Sequence, residues 1–200
     1  MDGHAVGTGW QASVAAVLVL LLAIAVVSDF RQRRIPNVLV LVTLMAGVLF
    51  HALGPQVSGA GGLFSTQPGP LGGWRAMGGA VAGLALFLPF YLLRVLGAGD
   101  VKLLAAVGAF AGTEAFVNIA IFVLLAGGVL ALARMVWSGN ARVVLLNVGA
   151  IMGQRLPGGQ ADFDANTQTA WRMPYALAIA SGVVAYGAWI LGGHRPLLAF

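Results

Sequence analysis

Two hundred residues with 60% hydrophobic side chains and only 8% charged ones, at a mean hydropathy of +0.92, exclude an ordinary water-soluble domain. They point to helices held in lipid, where every backbone group must be satisfied within its own segment. The absence of cysteine removes disulfides, thiolate nucleophiles and Cys-ligated zinc. His4, His51 and His194 are scattered without metal-ligand spacing, so no metal and no cofactor is expected. The net charge of +5 comes without basic and aromatic residues interleaved on a polar scaffold, and no nucleic-acid partner is expected.

In chain order, apolar runs at 12–28, 38–53, 74–93, 101–112, 115–133 and 174–191 predict one all-α membrane domain over 1–200, with about six transmembrane helices. No Lys or Arg precedes Arg31, so the first run reads as a retained span, not a cleaved signal peptide. Crossing a flat bilayer takes about 20 residues at about 1.5 Å each, which leaves the second run marginal and the fourth short. Local thinning, or helical continuation through 95–100, would be needed there. The Gly/Ser/Pro-rich stretch 54–73 reads as an extracytoplasmic loop. Gly79 with Gly83, and Gly108 with Gly112, have the spacing of close helix contacts, and Pro89 is expected to bend the third span. A cytoplasmic loop is expected at 134–173: an interfacial helix over 141–152, before the last span, then a mobile polar connection over 153–169.

Basic residues set the orientation, because Lys and Arg gather in short cytoplasmic loops. An extracytoplasmic N-terminus places Arg31, Arg33, Arg34, Arg94, Lys102, Arg134, Arg142, Arg155 and Arg172 inside, leaving only Arg75 and Arg195 outside. The run Arg31–Arg34 then serves as a topogenic anchor against anionic headgroups. Asp29 follows the first span and Asp100 follows the third, so two crossings separate them and both belong on one face, the cytoplasmic one. Asp2 and Glu114 fall on the far side, and Asp162 and Asp164 lie in the polar stretch; these four read as solvated charges.

Ionisable groups in so apolar a chain are functional candidates by default. Asp29, in SDFRQRRIPN, closes an apolar helix; Asp100, in GAGDVKLL, opens one. Each has a simple structural role available, Asp29 as partner of a nearby arginine and Asp100 as an N-cap. Together they can do more. Two carboxyls sharing a site do not both ionise readily, so one holds a proton while the other acts as a base. Such a pair suits peptide hydrolysis, the base activating water and the acid hydrogen-bonding the carbonyl oxygen as charge develops. Lys102 could tune the pair or snorkel to lipid phosphate, and Asn37 could brace the Asp29 loop or face headgroups.

These residues resemble the type IV prepilin peptidases, membrane aspartic peptidases with a GxGD motif. Asp29 to Asn37, DFRQRRIPN, is similar to their first catalytic segment, and Gly97-Ala98-Gly99-Asp100-Val101-Lys102-Leu103-Leu104 to their second. Leu88-Pro89-Phe90 and Met173-Pro174-Tyr175-Ala176 resemble further family landmarks. The resemblance implies that Asp29 and Asp100 are the catalytic dyad. It also implies a prepilin or pseudopilin substrate whose short basic leader is cut off, in the cytoplasm, just before its apolar helix. The enzyme would then be a multi-pass protein of the inner membrane, its active site facing the cytoplasm and the lipid bilayer around it. Lacking the CxxC motifs of the bifunctional members, the chain looks like the small peptidase-only branch linked to tight-adherence (Flp-type) pili, which puts N-methyl transfer in doubt. Archaeal preflagellin peptidases share the dyad. Rival readings are a small proton- or cation-coupled transporter, whose carboxylates belong nearer the midplane, and a presenilin-like intramembrane protease, against which the DFRQRRIPN segment argues.

Overall fold

The computed structural model describes residues 3–55, 61–137 and 174–199. The described residues form six helices: α1 (Gly3–Gln32), α2 (Asn37–Leu53), α3 (Gly73–Leu92), α4 (Ala98–Ala111), α5 (Thr113–Trp137) and α6 (Tyr175–Leu191). Among them the sole β feature is an isolated bridge between Gly62 and Gly69. The expectation of an all-α membrane protein with about six helices is met. The helix ends differ from the expected runs chiefly in α1, which begins well before residue 12, and in α5, which continues into the stretch expected as loop. The interfacial helix expected at 141–152 and the polar loop at 153–169 lie outside the described residues.

The chain divides into two compact units, residues 1–126 with 174–200, and residues 127–173. Of the second, the described part is the end of α5, where Val129, Leu132, Val136 and Trp137 are exposed.

Three helical stretches, Gly7–Gln32, Gly73–Leu92 and Thr113–Arg134, are long and apolar enough to cross a membrane, and α2 and α6 are shorter apolar helices. Large hydrophobic side chains point outward along them, among them Leu20 and Ile24 on α1, Leu41 and Met45 on α2, and Val81 and Leu84 on α3. In water this would be a liability; in lipid it is the solvent-matched face. Inward, α1 buries Trp10, Val14, Leu18, Leu21, Leu22 and Ala25, and α6 buries Ala176, Ile179, Val183, Tyr186 and Ile190, each at helical spacing.

The short fourth run turns out to be the centre of the fold. At 14 residues, α4 is about 21 Å long, well under the roughly 30 Å hydrocarbon thickness. Residues 103–112 are all buried, and of its later residues only Lys102 is exposed. It packs against α2 and α3, so protein, not lipid, surrounds it. The approach to α3 needs glycine: a Cβ on Gly79 would collide with the Gly108 carbonyl, and one on Gly83 would lie 2.8 Å from the Leu104 oxygen. On α2, a Cβ at Gly47 would meet the Phe110 ring at 2.9 Å. The glycine spacings thus serve close packing, as expected.

At the far end of α4 from Asp100, His51 is buried and fully bonded. Its Nδ1 accepts the Leu71 N–H at 3.0 Å, so the ring hydrogen sits on Nε2, which donates to the Phe110 carbonyl at 2.8 Å. One side chain thereby satisfies an orphan carbonyl in the last turn of α4 and ties down the α2–α3 connection. In the described part of that connection Leu63 is buried, and its carbonyl accepts from Gln11 Nε2 at 2.8 Å. The α3 end is closed by Arg94 in left-handed backbone (φ 59°), with Arg94 N–H on Tyr91 O and Val95 N–H on Phe90 O, both 2.9 Å. This is a Schellman turn with arginine where glycine is usual.

Candidate functional site

Asp29 continues the inward stripe Val14–Leu18–Leu21–Ala25 of α1 by one further turn, and so points into the protein, with 9% of its surface exposed. Its backbone oxygen accepts the Arg33 N–H at 2.9 Å, where Arg33 adopts φ 51° and reverses the chain. Ser28 Oγ closes the same turn on the Arg34 carbonyl at 3.0 Å. Pro36 then provides the extended residue before α2. Asp29 is not held by the neighbouring arginines: among the described residues its carboxylate Oδ2 accepts the Ala176 N–H at 3.2 Å, from the first turn of α6.

Asp100 is the third residue of α4, within its first turn rather than at the cap position, which Gly97 occupies. Its Oδ2 accepts the Gly97 N–H at 3.1 Å, half of the reciprocal arrangement that stabilises helix starts. The macrodipole of α4 also favours a carboxylate there.

The two motif segments meet. The Ile35 side chain lies against Gly99, where an added Cβ would sit 3.4 Å from Ile35 Cβ. Lys102 Nζ donates to Asn37 Oδ1 at 3.2 Å, joining the start of α4 to the start of α2. Lys102 is therefore engaged with Asn37, a contact that neither sequence reading of it foresaw. On the other side, the first turn of α6 reaches Asp29 through the Ala176 N–H. The end of α1 and the starts of α2, α4 and α6 thus converge, and the pair expected from sequence stands among them. Tyr175 and Ala176 were visible beforehand only as part of a motif; the signal for them was Pro174 ahead of an apolar run, which marks a helix start.

Comparison with known proteins gives a consistent family. The model of the type IV leader peptidase family matches residues 16–132, a stretch that contains both aspartates. A prepilin leader peptidase/N-methyltransferase of Dickeya chrysanthemi is 35% identical over 133 residues, covering 60% of this chain and 42% of that protein. One of the same name from Pectobacterium carotovorum subsp. carotovorum is 33% identical over 131 residues, covering 62% and 41%. The chain spans about two-fifths of the length of these curated relatives. No solved structure matches it. With more than half of its length matched by the family model, the chain belongs to the type IV leader peptidase family.

Proposed function

We propose that this protein is a prepilin leader peptidase that uses Asp29 and Asp100 as a water-activating pair. The observation that carries the reading is the packing of the Asp29 loop on the start of α4, Ile35 on Gly99 and Asn37 on Lys102, which draws two carboxyls from separate helices to one end of the fold. In the reaction, one carboxylate takes a proton from water as its oxygen attacks the scissile carbonyl carbon. The other carboxyl, protonated, hydrogen-bonds the carbonyl oxygen as it gains charge. Collapse of the tetrahedral species breaks the C–N bond, the amine leaves with a proton from the pair, and the leader departs as a carboxylic acid. No covalent enzyme intermediate forms.

The substrate is a prepilin or pseudopilin, cut between its short basic leader and its apolar helix. Exposed apolar faces of the spans suit a substrate whose remaining segment is itself lipid-embedded. The distribution of Arg and Lys supports an extracytoplasmic N-terminus, placement in the inner membrane and a cytoplasm-facing site.

A prepilin carrying its leader, co-reconstituted with the protein in liposomes, tests it. Wild type releases the leader; Asp29→Asn and Asp100→Asn each abolish release while inserting normally. Full cleavage by either variant refutes the dyad, and solute flux without a pilin present would favour a transporter.

A further inference from the structure

We propose that Ile35 is a positioning residue, a spacer seated on Gly99 that sets how closely the Asp29 loop stands to Asp100. The inference rests on the peptidase reading above and adds a residue to it. It also gives the two glycines of Gly97-Ala98-Gly99-Asp100 separate tasks. Neither adopts the left-handed backbone that calls for glycine, so the missing side chains supply space rather than conformational freedom. A Cβ on Gly97 would lie 3.0 Å from Asp100 Oδ2, so the room there belongs to the carboxylate that accepts the Gly97 N–H. The three atoms nearest a Cβ on Gly99 all belong to Ile35: its Cβ at 3.4 Å, and its Cδ1 and Cγ1 both at 3.8 Å. An alanine there would just touch Ile35, and any larger side chain would have to push it away.

Ile35 is built to be stiff. Its side chain is branched at Cβ, which restricts χ1, and its backbone precedes Pro36, which confines it to extended conformations. It is partly buried and packed against the hydrophobic core. Behind it the chain returns to Asp29 through a turn closed twice, by the Arg33 N–H on the Asp29 carbonyl at 2.9 Å and by Ser28 Oγ on the Arg34 carbonyl at 3.0 Å. Ahead of it, Gly99 is the chain neighbour of Asp100. A short, braced path therefore runs from one carboxyl-bearing residue to the other, and the Ile35–Gly99 contact is its one non-covalent step between segments. The Lys102–Asn37 hydrogen bond further along draws the same two segments together; Ile35, a packed wedge, sets the limit of their approach.

Exchanging volume across the contact tests the spacer. In the prepilin assay, Gly99→Val lowers kcat about tenfold or more with KM within about twofold, the result of a misplaced reacting group, and Gly99→Ala costs less. Ile35→Ala also slows cleavage on its own, whereas Ile35→Val, which keeps the branch, retains most of the rate. Combining Ile35→Ala with Gly99→Val returns most of the kcat that Gly99→Val loses. Gly97→Ala is the control: it crowds the Asp100 carboxylate, and adding Ile35→Ala recovers nothing. A melting-temperature cycle of Gly99→Val and Ile35→Ala gives a readout that does not need activity, and its shifts are non-additive because the two groups touch. Should Gly99→Val fail to fold, Ile35→Ala restores folded protein. Wild-type kcat in Gly99→Val, or a double variant no better than Gly99→Val in both rate and melting, overturns the proposal. A wild-type protein that fails to cleave prepilin, beside a non-additive melting cycle, overturns the peptidase reading instead and leaves the seat of Ile35 on Gly99 standing.

Discussion

Gly79→Ala tests whether the packing of α4, at a distance, holds the site in register. The added methyl would lie inside contact distance of the Gly108 carbonyl, 2.8 Å from the Gly112 Cα and 2.9 Å from the Gly108 carbonyl carbon. All three are backbone atoms, so no side chain can swing away and the helices must separate. Overpacking of this kind costs about 1–3 kcal/mol. Gly108 is eight residues from Asp100, about 12 Å along the helix. Displacing a rigid helix of 14 residues moves its start as well, and a misplacement near 1 Å costs about 100-fold in rate. The variant should melt lower in detergent micelles and cleave prepilin about 100-fold more slowly. Gly9→Ala is the control: a Cβ there meets nothing within 4 Å, and relieving the entropy cost of helical glycine should stabilise by about 0.5–1 kcal/mol. If Gly79→Ala melts and cleaves like the wild type, the close approach of α3 and α4 does not support the site as argued.

Two other perturbations follow from the bonding described. His51→Ala strands the Leu71 N–H and the Phe110 carbonyl, at about 1–3 kcal/mol for each group left unsatisfied; thermal unfolding should register the loss, and proteolysis should cut the 61–72 connection sooner. Asn37→Ala and Lys102→Met each remove the link between the two motif segments; each should slow cleavage, and the double variant should be no slower than the worse single one, whereas additive losses would mean that the residues act separately.

Much of this was legible in the sequence because lipid makes the pattern simple. Apolar length marked the helices, and the inward stripe through Val14, Leu18 and Ala25 extends at helical spacing to Asp29, so a buried carboxyl could be read off periodicity. The fourth helix was harder. The short apolar run at 101–112 looks like a defective span, and only the contacts reveal it as a core helix, with Gly79 and Gly83 cut away to receive it. The partners of Asp29 and Lys102 were not legible at all. An Ala176 amide has no side-chain signature, and an exposed lysine two residues past an aspartate gives no sign that it bonds an asparagine 65 positions away. Such pairings depend on how helix ends meet, which periodicity within one helix does not encode.

The encasement of α4 has a mechanical consequence. Asp29 rides on a long helix whose flank meets acyl chains directly, whereas Asp100 rides on one walled off by its neighbours. Thickening or thinning of the membrane therefore pulls on one carboxyl's support more than on the other's, and the bilayer itself becomes a variable in how the two align.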